Sequence, residues 1–276
     1  KETQAAQWAC IAALLAKRNQ CAVKLRLPRM QDMIATGKRH PFENSYQVGF
    51  NQEGLIKAAD IDINGNCGHS PDLSDAIVDR AMFHCDNGYY LENVNVAGHR
   101  CRTNQVSHTA YRGFGGPQGM IVAEAMMDAI ARKVGKDPLT VRKLNLYGDK
   151  ERNLTPYGMT VEHNLLGDLI ARLEASSDYW ARREAITQFN KTSPIVKKGL
   201  SLTPVKFGIS FTAKHLNQAG ALLHIYTDGS MQINHGGTEM GQGLHTKIGQ
   251  IVANEFGVSL HDVEVTATRT DKVPNT

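Results

Sequence analysis

The 276-residue sequence has only five cysteines, an odd number, and no pair of them stands at Cys-x-x-Cys spacing. That excludes a disulfide framework of the secreted type, and a zinc or iron–sulfur site built from this segment alone. Cys10, Cys21, Cys67, Cys85 and Cys101 are expected to be small buried or partly buried thiols, and reduced thiols favour a cytoplasmic home. Long apolar runs are also missing: nothing reaches the roughly 18 residues that a membrane-crossing helix requires. A net charge of +4, with the basic residues scattered, is too small to mark a nucleic-acid binder. There is no initiator Met and no signal peptide. The chain opens on Lys1-Glu2-Thr3, runs straight into an apolar stretch, and stops at Pro274-Asn275-Thr276 without a closing element, so both ends read as cuts in a longer polypeptide. No P-loop, internal repeat or low-complexity tract is present.

Against these absences stands an ordinary globular composition, 41% hydrophobic and 21% charged. The apolar positions between Thr3 and Lys17 give a wide helical face, with Glu2 at a first turn that favours a carboxylate. Residues Cys21 to Leu27 alternate like a strand halted by Pro28. Two strand-like runs, Tyr46–Phe50 and Leu55–Ala59, flank Asn51-Gln52-Glu53-Gly54 and predict a hairpin. A helix is expected over Pro71–Phe83, with Arg80 near the face of Ile77; a solvated arginine is its default reading. The clearest helix starts at Pro117 and stops at Gly135, with Met120, Ile121, Ala125, Met127 and Ile130 apolar. Asp137-Pro138 opens another. The polar stretch from Gly148 to Gly158 predicts a boundary, dividing the chain into 1–150 and 151–276. Beyond it come helices over His163–Glu174 and Tyr179–Phe189, a basic hinge at Lys197–Gly199 followed by strands, a hairpin around Thr227-Asp228-Gly229-Ser230, and a helix over Leu244–Phe256. The class is α+β, with mixed sheets and helices.

Two loops carry unusual glycine density: Arg112-Gly113-Phe114-Gly115-Gly116-Pro117-Gln118-Gly119 and Gly236-Gly237-Thr238-Glu239-Met240-Gly241-Gln242-Gly243. Each opens a helix, the arrangement that presents bare backbone N–H groups to an anionic ligand. Neither matches a P-loop or a dinucleotide fingerprint. Plain turns are the bland reading, and phosphate or pyranopterin binding the sharper one. Phe114, embedded among glycines, is a candidate stacking surface for a planar ligand.

Three stretches, Thr109–Gln118, Phe207–Ala221 and Gly236–Lys247, together resemble the molybdenum-binding part of the xanthine dehydrogenase and aldehyde oxidase family, and the likeness runs in order through the whole chain. The resemblance implies a two-part molybdopterin-binding fold, with iron–sulfur clusters and FAD carried by other domains or subunits. It implies no direct side-chain ligand to the metal, and an assembly of like or unlike subunits. By the same resemblance Glu2 and Arg80 match the catalytic acid and substrate-facing cation of purine-hydroxylating members. Phe114 and Phe211 match the aromatics that sandwich the flat substrate; Leu73, Thr212 and Leu216 match pocket lining, where ordinary packing is the bland alternative. Arg112, Gly113, Gly241 and Gln242 match cofactor contacts. Ala213 departs from the bulkier residue of many relatives, which puts the pocket's shape in doubt. The implied activity is hydroxylation of hypoxanthine and xanthine, with oxygen transfer and electron acceptance supplied by the cofactor, and with the general base a further glutamate beyond residue 276. The pair Glu2 and Arg80 favours purines over simple aldehydes, the rival substrate class. A nonenzymatic glycine-loop nucleotide-binding module is the alternative from a different class.

Overall fold

A computed structural model of the chain describes residues 4–269 and 271–273, and the chain divides into two units, Lys1–Gly208 and Ile209–Thr276. The first unit begins with helices α1 (Gln4–Asn19) and α2 (Arg29–Ala35). A three-stranded sheet of order β1-β2-β3 follows, from β1 (Phe42–Phe50), β2 (Ile56–Gly68) and β3 (Val94–Arg102). β1 and β2 form the expected hairpin, closed where the Asn51 side chain accepts from the Leu55 amide. β2 and β3 run parallel, so the chain must cross over between them. The crossover carries α3 (Ser74–His84).

Alternation at period two buries Ile61 and Ile63 of β2 on one face, while Phe42, Tyr46 and Val48 of β1 are half-buried. That face packs on α3 and on α4 (Gly116–Val134), whose Val122, Ala123, Met126, Met127 and Ile130 complete the core. Ile121 and Ala125 point outward instead, so the buried face of α4 is rotated from the one the apolar pattern suggests. Gly135 ends α4 at φ 68, and the Asp137 side chain accepts from the Leu139 amide to start α5 (Pro138–Asn145). Helices α6 (Leu166–Ser176) and α7 (Tyr179–Thr192) add a smaller core of Leu139, Ile170 and Tyr179.

Four expectations are overturned. Cys10 and Cys21 are exposed rather than buried or partly buried, because α1 and the segment after it leave most of their surface uncovered. Residues 21–27 keep their alternation but form no strand, because among the described residues no neighbouring strand pairs with them. The segment after Lys197–Gly199 is extended and bonds to side chains of the α3 end rather than to a sheet. Arg80 is not solvated: it is 5% exposed, on the same helical face as Ile77, Ala81 and His84.

In the second unit, β4 (Ala221–Ile225) pairs antiparallel with β5 (Met231–His235), which pairs parallel with β6 (Val263–Val265). Helix α8 (Leu244–Phe256) covers this sheet through Val252 and Ala253 against Met231, Ile233 and Val263. Among the described residues, no helix is long and apolar enough to cross a membrane.

Candidate active site

The loop into α4 is shaped by how closely α3 approaches it. Gly113, Phe114 and Gly115 take positive φ in succession, at 98, 47 and 97 degrees. A Cβ on Gly115 would lie 2.0 Å from the Ile77 carbonyl oxygen, and one on Gly119 would lie 2.1 Å from that of Ala81. These two glycines therefore serve helix contact, the bland reading of part of the motif. Phe114 is different, since a non-glycine residue at positive φ costs about 1–2 kcal/mol. That strained conformation sets its ring 5.7 Å from the Arg80 guanidinium.

Arg80 meets a second ring, Phe207, at 5.3 Å, and donates to the Gly208 carbonyl. Distances of this kind suit cation–π attraction. Burial lowers the Arg80 pKa, yet guanidinium remains charged at any working pH. The arrangement is a desolvated cation framed by aromatic faces.

Phe207 reaches this place because residues 204–208 are strapped to the end of α3. Asn87 donates to the Pro204 carbonyl at 2.9 Å and accepts from the Lys206 amide at 3.1 Å. The buried Asp86 carboxylate accepts from Lys206 Nζ, and from the Tyr147 hydroxyl at 2.5 Å. Burial raises the Asp86 pKa, opposed by the Lys206 charge. His84 accepts from the Gly208 amide at 3.0 Å. Gly116 completes the seat, since a Cβ there would fall 2.6 Å from the Phe207 ring. Phe207 and His84 were not singled out from the sequence as site residues. Their only signals were membership of the Phe207–Ala221 motif and the four-residue spacing from Arg80.

Of the other expected site residues, Leu73 is half-buried at the N-cap of α3, seven residues from Arg80 and so about 10 Å along the helix. Arg112 is exposed and Gly113 half-exposed; the Arg112 carbonyl accepts from Arg39 at 2.6 Å, and Arg39 lies over the Tyr111 ring at 4.3 Å. Beneath this loop, Arg39 Nη1 and Gln118 Oε1 are buried polar atoms with no hydrogen-bond partner among the described residues. An exposed guanidinium and spare buried polar groups suit an anionic, hydrogen-bonding cofactor such as the implied pyranopterin.

In the second unit, Phe211 and Thr212 are half-buried and Leu216 is exposed. The Phe211 backbone is fixed by Asn217, which accepts from its amide at 2.6 Å and donates to its carbonyl at 2.7 Å. Gln242 is half-buried and folds over its own loop, accepting from Met240 N and donating to Thr238 O. The N–H groups here are not bare as expected. Glu239 accepts from the amides of Gly241, Gly243, Leu244 and His245, and these bonds hold its pKa down against desolvation. Glu2 lies outside the described residues.

The comparisons match this picture. Residues 1–146 and 172–276 each match the sequence profile of a molybdopterin cofactor-binding domain. The chain is 47% identical over its full length to a xanthine dehydrogenase of Dictyostelium discoideum and 45% identical to a xanthine dehydrogenase/oxidase of Gallus gallus. It spans about 20% of the length of each. Its fold is similar to an aldehyde oxidoreductase from Desulfovibrio desulfuricans, with a TM-score of 0.70 at 22% identity over 91% of this chain and 27% of that one. A quinoline 2-oxidoreductase from Pseudomonas putida gives 0.71 at 18% identity, over 96% and 35%. The chain belongs to the molybdopterin cofactor-binding domain family.

Proposed function

We propose that this chain is the substrate-binding heart of a molybdenum hydroxylase that oxidises purines, hypoxanthine to xanthine and xanthine to urate. Bound molybdopterin supplies oxygen transfer and accepts electrons, which pass to iron–sulfur clusters and FAD held elsewhere in the protein. Arg112, Gly113, Gly241 and Gln242 hold the cofactor. Arg80 stabilises negative charge that develops on the heterocycle's carbonyl oxygen. A preorganised cation of this kind contributes about 2.7–4 kcal/mol, comparable to one oxyanion-hole donor. Glu2 hydrogen-bonds the opposite edge of the ring, and Phe114 and Phe211 hold it flat. Thr212, Leu73 and Leu216 line the pocket.

The observation that carries the reading is the buried Arg80 guanidinium, framed by the rings of Phe114 and Phe207. A buried cation against aromatic faces suits an electron-rich, polar-edged heterocycle better than a small aldehyde. The gap between the two profile matches, after residue 146 and before 172, supports a functional division near residue 150. Free thiols at all five cysteines support a reducing, cytoplasmic home. The test is metal analysis of the full-length protein together with kcat/KM for xanthine, hypoxanthine and simple aldehydes. Molybdenum with a purine preference supports the reading; molybdenum with an aldehyde preference replaces purines by aldehydes. Absence of molybdenum would leave nucleotide binding as the alternative.

A further inference from the structure

Three hydrogen bonds close a ring around the end of α3. The Arg80 guanidinium donates to the Gly208 carbonyl, the Gly208 amide donates to His84 Nε2 at 3.0 Å, and His84 Nδ1 meets the Arg80 carbonyl at 2.8 Å. A backbone amide can only donate, so Nε2 must carry the lone pair. A carbonyl can only accept, so the proton sits on Nδ1. One tautomer satisfies both contacts, and His84 is 5% exposed, its ring tilted at 49° against Phe207 with centroids 5.1 Å apart.

We propose that His84 is a positioning residue for Arg80: its Nδ1–H tautomer fixes Phe207–Gly208, and the Gly208 carbonyl in turn holds the guanidinium beside Phe114. This rests on the reading of Arg80 as the substrate-facing cation. Burial, with the Arg80 and Lys206 charges adding to it, keeps the imidazole neutral down to about pH 4, so the acceptor at Nε2 persists at any working pH. The segment has other tethers, at Asp86 and Asn87, but those grip Pro204 and Lys206. In the described contacts, only His84 grips the backbone of Gly208, the residue whose carbonyl touches Arg80. An arginine has four rotatable side-chain bonds and so many rotamers, and a fixed acceptor at its tip selects one of them.

Full-length, cofactor-loaded H84N and H84Q separate this role from simple core packing. Asparagine keeps a donor where Nδ1 stands and lacks the acceptor at the Nε2 position; glutamine extends an acceptor to that position. For H84N, xanthine kcat/KM falls about tenfold, the cost of one buried amide left unsatisfied, while aldehyde turnover is unchanged. H84Q recovers most of the loss. A crystal structure of H84N shows Arg80 withdrawn from its 5.7 Å approach to Phe114. Unchanged xanthine kinetics in H84N overturn the proposal, as do equal losses on both substrate classes in both variants. Should the unmutated protein not oxidise xanthine, the purine reading fails, and the placement of Arg80 in the H84N crystal structure alone decides the part of His84. Should H84N not accumulate, a displaced Arg80 in H84Q despite a preserved bond to the Gly208 amide also overturns it.

Discussion

Gly119 of α4 faces Ala81 of α3 so closely that a Cβ on Gly119 would stand 2.1 Å from the Ala81 carbonyl oxygen. The neighbouring atom is backbone, so no side chain can swing aside. G119A must push the two helices apart and, with them, the Phe114 loop and the Arg80 face of α3. A loss of several kcal/mol is expected, beyond the roughly 1–3 kcal/mol of ordinary overpacking. G135A is the control: nothing lies within 4 Å of that position, and the cost is the φ of 68 degrees alone, about 1 kcal/mol. Urea midpoints of the two full-length variants decide whether helix contact or loop conformation dominates.

Glu124 is the hub behind the same helix pair. Its carboxylate accepts from Arg142 Nε at 2.8 Å, the Tyr89 hydroxyl at 2.7 Å and Asn87 Nδ2 at 2.9 Å. The Arg142 side chain is 2% exposed, so E124Q leaves a buried cation with only the half-exposed Asp128. Removing one partner of a buried pair costs about 3–5 kcal/mol, here toward the lower figure because Asp128 remains. The exposed pair Lys57–Glu92 gives the contrast, where K57A changes stability by less than about 1 kcal/mol. Equal effects on the denaturation midpoint would contradict the burial argument.

Acid should weaken the fold in a defined window. Burial lowers the pKa of both His40 and His84 from 6.5 to about 4, helped at His40 by neighbouring His108 and at His84 by Arg80. Between those values the unfolded chain binds protons that the folded one refuses, so stability rises with pH there and is lost as pH falls from 6.5 toward 4. Each imidazole accounts for on the order of 3 kcal/mol of that loss. His40 hydrogen-bonds Ser74 at 2.8 Å at the start of α3. Unfolding midpoints measured at pH 7 and pH 4.5 should differ less in H40Q than in the unmutated protein; an unchanged difference would remove His40 from the account.

Much of this architecture was legible from local signals. The Asn51–Leu55 turn, the Pro117 start and Gly135 stop of α4, and the Asp137 cap of α5 are all set by neighbouring residues, and each formed as expected. What escaped notice depends on partners distant in sequence. β3, Val-Asn-Val-Ala-Gly-His-Arg-Cys-Arg, is polar and nowhere fully buried, and exists because β2 offers it a parallel edge. Residues 21–27 have the better strand pattern and no such edge. The burial of Arg80 needs the Gly208 carbonyl from 128 residues away, which no helical periodicity reveals. The Glu239 cap was local, yet the glycine count around it drew attention from the one side chain able to reach those amides.

The role of Arg80 is the claim on which the functional account turns, and steady-state kinetics of full-length, cofactor-loaded R80M test it most directly. The account predicts that kcat/KM for xanthine falls by about 10²–10³-fold, the effect of losing one preorganised charge partner, while small aldehydes are oxidised at the unmutated rate. Parallel losses on xanthine and aldehyde, with molybdenum content intact, would contradict it.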